Sequence, residues 1–207
     1  MKIKKNPEPG ILQAVLLAIC CCLAGCTTYK GGAPQTIFDL GPLPAAQRIA
    51  GLKPISVANP GTPAWLDNRE MYYRLSYADD RQLRQYGNSR WSMPPIQLFE
   101  QRLKARIAQA GGTVLSASEG AGNVPLNLHL EAEDFTQTFD SPAHSSGQIT
   151  LRASVFNGRS LVAQKTFSGH ADAPTLDASG GARSLSDASD AVITDILQWL
   201  AEPMPQK

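Results

Sequence analysis

Apolar and polar positions recur with recognisable periods along most of this chain, and those periods divide it into elements. Thr36-Ile37-Phe38-Asp39-Leu40 reads as a short strand stopped by Gly41, Pro42 and Pro44, and Leu52 to Val57 as a second one stopped by Asn59-Pro60-Gly61. Between Trp65 and Tyr77, Met71, Tyr73 and Leu75 alternate with Tyr72, Arg74 and Ser76, which is strand periodicity with both faces partly apolar. Arg81 to Tyr86 reads as a partner strand, with Gly87-Asn88-Ser89 as a turn leading to Trp91. The period then changes. Ile96, Phe99, Leu103, Ile107 and Ala110 recur every three or four residues after Pro94-Pro95, predicting a helix that ends at Gly111-Gly112, with Glu100, Arg102, Lys104 and Arg106 off the apolar stripe.

The second half again reads as strands followed by a helix, with no internal repeat. Thr113 to Ser116 reads as a strand, and Leu126, Leu128, Leu130 and Ala132 alternate with Asn127, His129, Glu131 and Glu133 as a half-buried one. The apolar parity switches at Phe135 and Phe139, so a bulge or a strand end is expected near Glu133-Asp134. Ile149, Leu151, Ala153 and Val155 form another alternating run, and Asn157-Gly158 predicts a two-residue hairpin turn before a return strand from Ser160 to Phe167. From Gly169 to Arg183 the chain is rich in Ala, Ser, Asp and Gly without an apolar period, and reads as a surface loop. A last helix is expected to begin near Ser184 or Ser186, with Ser184 and Asp187 in capping-box spacing, and to stop at Pro203. Strands bracketing two helices predict an α/β two-layer sandwich: a largely antiparallel or mixed sheet with both helices on one face.

The N-terminal segment changes the picture from fold to location. Lys2, Lys4 and Lys5 precede an uncharged, mostly apolar run from Ile11 to Leu23, of signal-peptide length and short for a bilayer span. It leads into Leu23-Ala24-Gly25-Cys26, a lipobox: a small residue before a cysteine whose thiol can be alkylated by diacylglycerol and whose amine is freed by cleavage. The expected organisation is a lipoprotein signal peptide over 1–25, a flexible tether over 26–35 and a single domain over 36–203. Two or three acyl chains suffice for stable anchoring, since one chain binds only reversibly. Cys20, Cys21 and Cys22 leave with the leader, so Cys26 is the one mature cysteine and no disulfide, thiolate metal site or cysteine nucleophile remains. Thr27 rather than Asp follows Cys26, which predicts sorting to the outer membrane, facing the periplasm. Cleavage also removes three Lys and Glu8, so the chain's 19 basic and 18 acidic residues become 16 and 17. That balance argues against a nucleic-acid partner, which needs a clustered positive field.

Candidate chemistry is sparse. Gly87-Asn88-Ser89-Arg90-Trp91 begins like a nucleophile elbow but has Trp91 where the second glycine belongs. His129, His144 and His170 are isolated in sequence, without metal-ligand spacing. Glu131 and Glu133 share a strand face with Asn127 and His129, which reads as a solvated face rather than an acid/base pair. No glycine-rich segment is followed by the Lys-Ser/Thr of a phosphate loop. These readings predict no enzyme, no cofactor and no metal. The aromatic cluster of Trp65, Tyr72, Tyr73, Tyr77, Tyr86 and Trp91 is the unusual local feature; it reads first as core, and Trp65, Tyr72, Tyr86 and Trp91 are the candidates for a partner-binding surface.

Ile37-Phe38-Asp39-Leu40-Gly41-Pro42, Ile55-Ser56-Val57 with Pro60, Met71-Tyr72-Tyr73-Arg74, Leu83 with Tyr86, and Trp91-Ser92-Met93-Pro94-Pro95 before a helix resemble the ABC-type transport auxiliary lipoprotein family. Ser92 departs mildly from the family's usual Ala after the tryptophan. The resemblance implies a non-enzymatic outer-membrane lipoprotein that works with an ABC transporter and a periplasmic MCE-domain protein to move lipids or other hydrophobic molecules between the two membranes. It supplies no catalytic residues, so only Cys26 takes a defined role, that of lipidation. The rival reading is an envelope assembly or structural lipoprotein unrelated to a transporter.

Overall fold

The computed structural model describes residues 34–45, 47–115 and 126–203. The predicted signal peptide, Cys26, most of the tether and Ser116 lie outside the described residues. The described residues from Gln35 onward form one compact unit.

Among the described residues, eight strands and two helices follow in the order β1 (Thr36–Phe38), β2 (Ile55–Val57), β3 (Glu70–Leu75), β4 (Asp79–Trp91), α1 (Pro95–Gln109), β5 (Val114–Leu115), β6 (Asn127–Ser141), β7 (His144–Asn157), β8 (Ser160–Asp172) and α2 (Ala178–Ala201). The fold is the predicted α/β class, and the sheet is mixed. β6, β7 and β8 form an antiparallel meander. The other edge of β6 is shared: β2 runs parallel to its start at Leu128, and β3 runs parallel to its end at Gln137–Phe139. Gly61 bridges to Glu131 between them. β5 continues the sheet beyond β2, while β4 and then β1 continue it beyond β3. β1 and β8 are therefore the first and last strands across the widest part.

Local chemistry accounts for the element ends. α1 begins after Pro94 (φ −48°, ψ 132°) with proline in its first turn, and stops where Gly111 takes φ 91°. β6 does not end at the parity switch. Its pairing with β7 shifts between Ala132 and Asp134, so a bulge lets Leu128, Leu130 and Ala132 and then Phe135, Gln137 and Phe139 face the core. The β7–β8 turn forms at the predicted place with a different centre: Asn157 pairs with Ser160, so the two loop residues are Gly158 and Arg159. Only Gly158 has positive φ (58°), the pattern of a type II′ turn. Gly87-Asn88-Ser89 is not a turn either; it lies inside β4, and Ser89 pairs with Thr36 of β1.

The largest departure is the Gly169–Arg183 segment. β8 runs on to Asp172 and α2 starts at Ala178, capped by Asp177, whose carboxylate accepts from the Gly180 N–H at 2.9 Å. Ser184 and Asp187 therefore lie inside the helix and cap nothing. The small residues are there because helix and sheet nearly touch: a Cβ at Gly147 of β7 would sit 2.5 Å from the Leu185 backbone nitrogen. One at Gly169 of β8 would sit 2.6 Å from a Val192 methyl. The core between the layers joins Leu128, Leu130, Phe135, Ile149, Leu151 and Val155 of the sheet to Phe99, Leu103 and Ile107 of α1 and Leu185, Val192 and Ile196 of α2. Each such side chain contributes about 1.5–3 kcal/mol by leaving water.

Candidate binding surfaces

The four aromatic candidates separate into two groups. Trp91 is 1% exposed and meets Phe135 edge-on at 5.7 Å, so it is part of the core and has no surface to offer a partner. Tyr86 is half-buried. Its ring lies 4.7 Å from that of Tyr73, which in turn meets Phe139 edge-on at 5.9 Å. The Tyr86 hydroxyl donates to Gln137 Oε1 at 2.8 Å, and the Gln137 amide donates to Ser145 Oγ at 2.9 Å. Burial, reinforced by Tyr73 and Asp177, pushes the Tyr86 phenol above its ordinary range, so it stays a neutral donor at any physiological pH. This chain of bonds ties β4 to β6 and β7 beneath the start of α2.

Trp65 and Tyr72 form the second group. They meet edge-on at 5.6 Å, and Asn68 holds both by donating to the Trp65 carbonyl at 2.9 Å and to the Tyr72 hydroxyl at 3.2 Å. Both rings are half-buried and fixed in place, which suits a contact surface whose aromatic area costs little entropy to present.

A buried ionic clamp was not foreseen from the sequence, because Arg102 and Arg106 were expected off the apolar stripe. They are instead 6% and 8% exposed. Arg102 donates to both Asp190 oxygens (2.9 and 2.7 Å), to the Gly41 carbonyl at 3.0 Å and to the Pro42 carbonyl at 3.1 Å. Arg106 adds a longer contact to Asp190 at 3.8 Å and donates to Thr194 at 3.3 Å. Ser186 donates to the Leu40 carbonyl at 2.5 Å. The clamp thus joins α1, α2 and the Leu40–Pro42 segment beside a groove of about 410 Å³ that Phe38, Leu43, Ser179 and Arg183 also line. The available signal was positional: Arg102 and Arg106 flank Leu103 and Ile107 one residue off, where a guanidinium reaches a neighbouring helix.

The suspected catalytic groups do not converge. Ser89 is committed to the β1–β4 ladder, His129 packs edge-on against Phe156 at 4.9 Å, and Arg152 bridges Glu131 at 2.8 Å and Glu133 at 3.7 Å. His144 lies between Asp140 (2.8 Å) and Asp172 (3.3 Å), whose hydrogen bond and charge raise its pKa. Burial raises the Asp134 carboxyl against the pull of the Thr136 hydroxyl and Arg74. Among the described residues, no group of three or more His, Cys, Asp or Glu could hold a metal ion, and no helix is long and apolar enough to cross a membrane.

A family model described as the ABC-type transport auxiliary lipoprotein component matches residues 38–197. The chain belongs to this family. The match includes the first helix, all strands but the start of β1 and all of α2 but its last four residues, and excludes the leader. No curated protein matches the chain in sequence. A crystal structure of a Xanthomonas campestris protein is similar at TM-score 0.68 and 17% identity, covering 80% of this chain and 95% of that one. An uncharacterized protein is similar at 0.64 and 17% identity, covering 81% and 99%. Both show the fold alone. A minor lipoprotein from Acinetobacter baumannii, at 0.42 and 12% identity over 77% and 100%, is too distant in shape to carry an argument.

Proposed function

We propose that this transport auxiliary lipoprotein is the lipid-anchored accessory component of an ABC/MCE-type envelope system that moves lipids or other hydrophobic molecules between the inner and outer membranes. The supporting observation is the family match over residues 38–197 on a chain whose Cys26 ends a lipobox. Residues 1–25 are removed, diacylglycerol on Cys26 anchors the product to the outer membrane, and the segment to residue 35 links it to the domain in the periplasm. The protein works by holding partners at the membrane, not by catalysing a reaction. Its partner is a periplasmic MCE-domain protein coupled to an ABC transporter, and Trp65 and Tyr72 supply rigid aromatic contacts for it. Tyr86, packed on Tyr73 and bonded to Gln137, is engaged inside the domain and is not part of that surface.

The test is isolation of the affinity-tagged, lipidated protein from its own host, with photocrosslinkers at positions 65 and 72. The proposal expects the MCE-domain protein encoded beside it to be captured at both positions. Capture of a β-barrel protein in its place, or no MCE-domain protein in any fraction, would reject this function in favour of an envelope assembly role.

A further inference from the structure

We propose that the side of the domain carrying β1, with Ile37, Leu43 and Leu176 at its surface, rests on a phospholipid surface. This rests on the reading that Cys26 carries the lipid.

Among the described residues, five large hydrophobic side chains stand out as exposed: Ile37 at 56%, Leu43 at 37%, Tyr77 at 48%, Leu161 at 46% and Leu176 at 47%. Three of them gather around the place where the chain emerges toward Cys26. Ile37 lies in β1, one residue past the first strand residue. Leu43 lines the groove that Phe38 and Ser179 also line. Leu176 precedes Asp177, the α2 cap, whose charge is felt by Tyr86 of the neighbouring β4. Exposed Arg183 on α2, which lines the same groove as Leu43, adds a cation to this side, beside Asp187. Leucine and isoleucine for the acyl boundary, with arginine for phosphate, is the chemistry of an interfacial contact.

Chain length favours this side over the opposite, β8 edge. The ten-residue connection from Cys26 to Thr36 reaches about 35 Å at most. An unconstrained chain of that length spans roughly 17 Å, less than the about 40 Å width of a folded unit this size. β8 lies five strand spacings from β1 in the sheet, about 24 Å away. Resting the β8 edge on the bilayer would lift Thr36 by that distance and consume most of the connector's reach. Resting the β1 side on it leaves the connector slack and covers three of the exposed apolar residues.

The test uses the processed, lipidated protein carrying Ile37→Cys, Leu43→Cys or Leu176→Cys, with Leu161→Cys as comparator, each labelled with an environment-sensitive fluorophore. The protein is reconstituted into vesicles of phosphatidylethanolamine and phosphatidylglycerol, and flotation reports anchoring independently of the probes. The inference expects a several-fold emission increase, quenched by a lipid-borne quencher, at 37, 43 and 176 but not at 161. Floating protein with no increase, or with the increase at 161, overturns the membrane face while leaving the anchor intact. Protein that carries no lipid and fails to float overturns both. An increase in the unlipidated Cys26→Ser background without vesicles, growing with protein concentration, overturns the inference in favour of a second copy of the chain.

Discussion

Arg102 shows how much a single residue carries. Its guanidinium serves two helices and two backbone carbonyls from a nearly dry position, so its removal leaves the Gly41 and Pro42 carbonyls without this donor and Asp190 with only the longer Arg106 contact. Breaking a buried pair from one side costs about 3–5 kcal/mol. Arg102→Met is expected to lose about that much in urea unfolding of the mature domain. Arg102→Lys should recover only part, because one ammonium cannot reproduce the fork that spans Asp190 and two carbonyls. A near-zero loss for Arg102→Met would mean that the clamp is incidental. Gly147 is a second such position, for a steric reason. Its missing side chain lets the α2 backbone approach, so Gly147→Ala is expected to cost about 1–3 kcal/mol by overpacking, read in the same unfolding assay. Both residues sit where the sequence is hard to read: an arginine beside an apolar stripe looks solvated, and a glycine inside a strand looks like a weakness. Only the approach of a distant element gives either its role.

The elements with a strong period of their own were legible, and the others were not. β6, β7 and α1 could be placed from alternation or from threefold and fourfold spacing, and the β6 bulge from a parity switch at Phe135, because those patterns follow from one buried face. The start of α2 could not. Ala178–Arg183 has no large apolar residue, since the sheet leaves no room for one, so the signal on which periodicity depends is absent. Asp177 with Gly180 at the third position was the readable cap, masked by Ser184. That cap is testable by pH as well as by substitution. Hydrogen bonds from Gly180 N–H and Thr175 Oγ1 lower the Asp177 pKa. Its contribution is therefore fully present above the ordinary carboxylate range and is lost as pH falls through the depressed folded value. Asp177→Ala is expected to lose about 1 kcal/mol at neutral pH. In acid unfolding titrations the difference from wild type should shrink toward zero; a difference that stays constant down to strong acid would contradict the cap. The aromatic candidates divide on the same principle. Residue type alone could not separate Trp91 in the core from the half-buried Trp65–Tyr72 pair, because the β3–β4 register that decides it carries two shifts.

At the scale of the whole molecule, the domain is a mixed sheet covered by two helices. A split β6 edge lets one sheet collect, at the two ends of that strand, strands that all precede it in the chain, and two helices seal one face. Two polar constellations hold elements together within each layer: Arg102 with Asp190 joins the two helices, and Tyr86 with Gln137 and Ser145 joins strands of the sheet. A family of transport auxiliary lipoproteins fits such a body, whose work would depend on where it is held and on what meets its surfaces. Location is therefore the central claim, and intact mass analysis of the native protein extracted from membranes tests it most directly. The account predicts a chain that begins at Cys26 and carries diacylglycerol on its sulfur, and a Cys26→Ser variant that loses the modification and leaves the membrane fraction. A native chain that retains residues 1–25 with an unmodified Cys26 would contradict it.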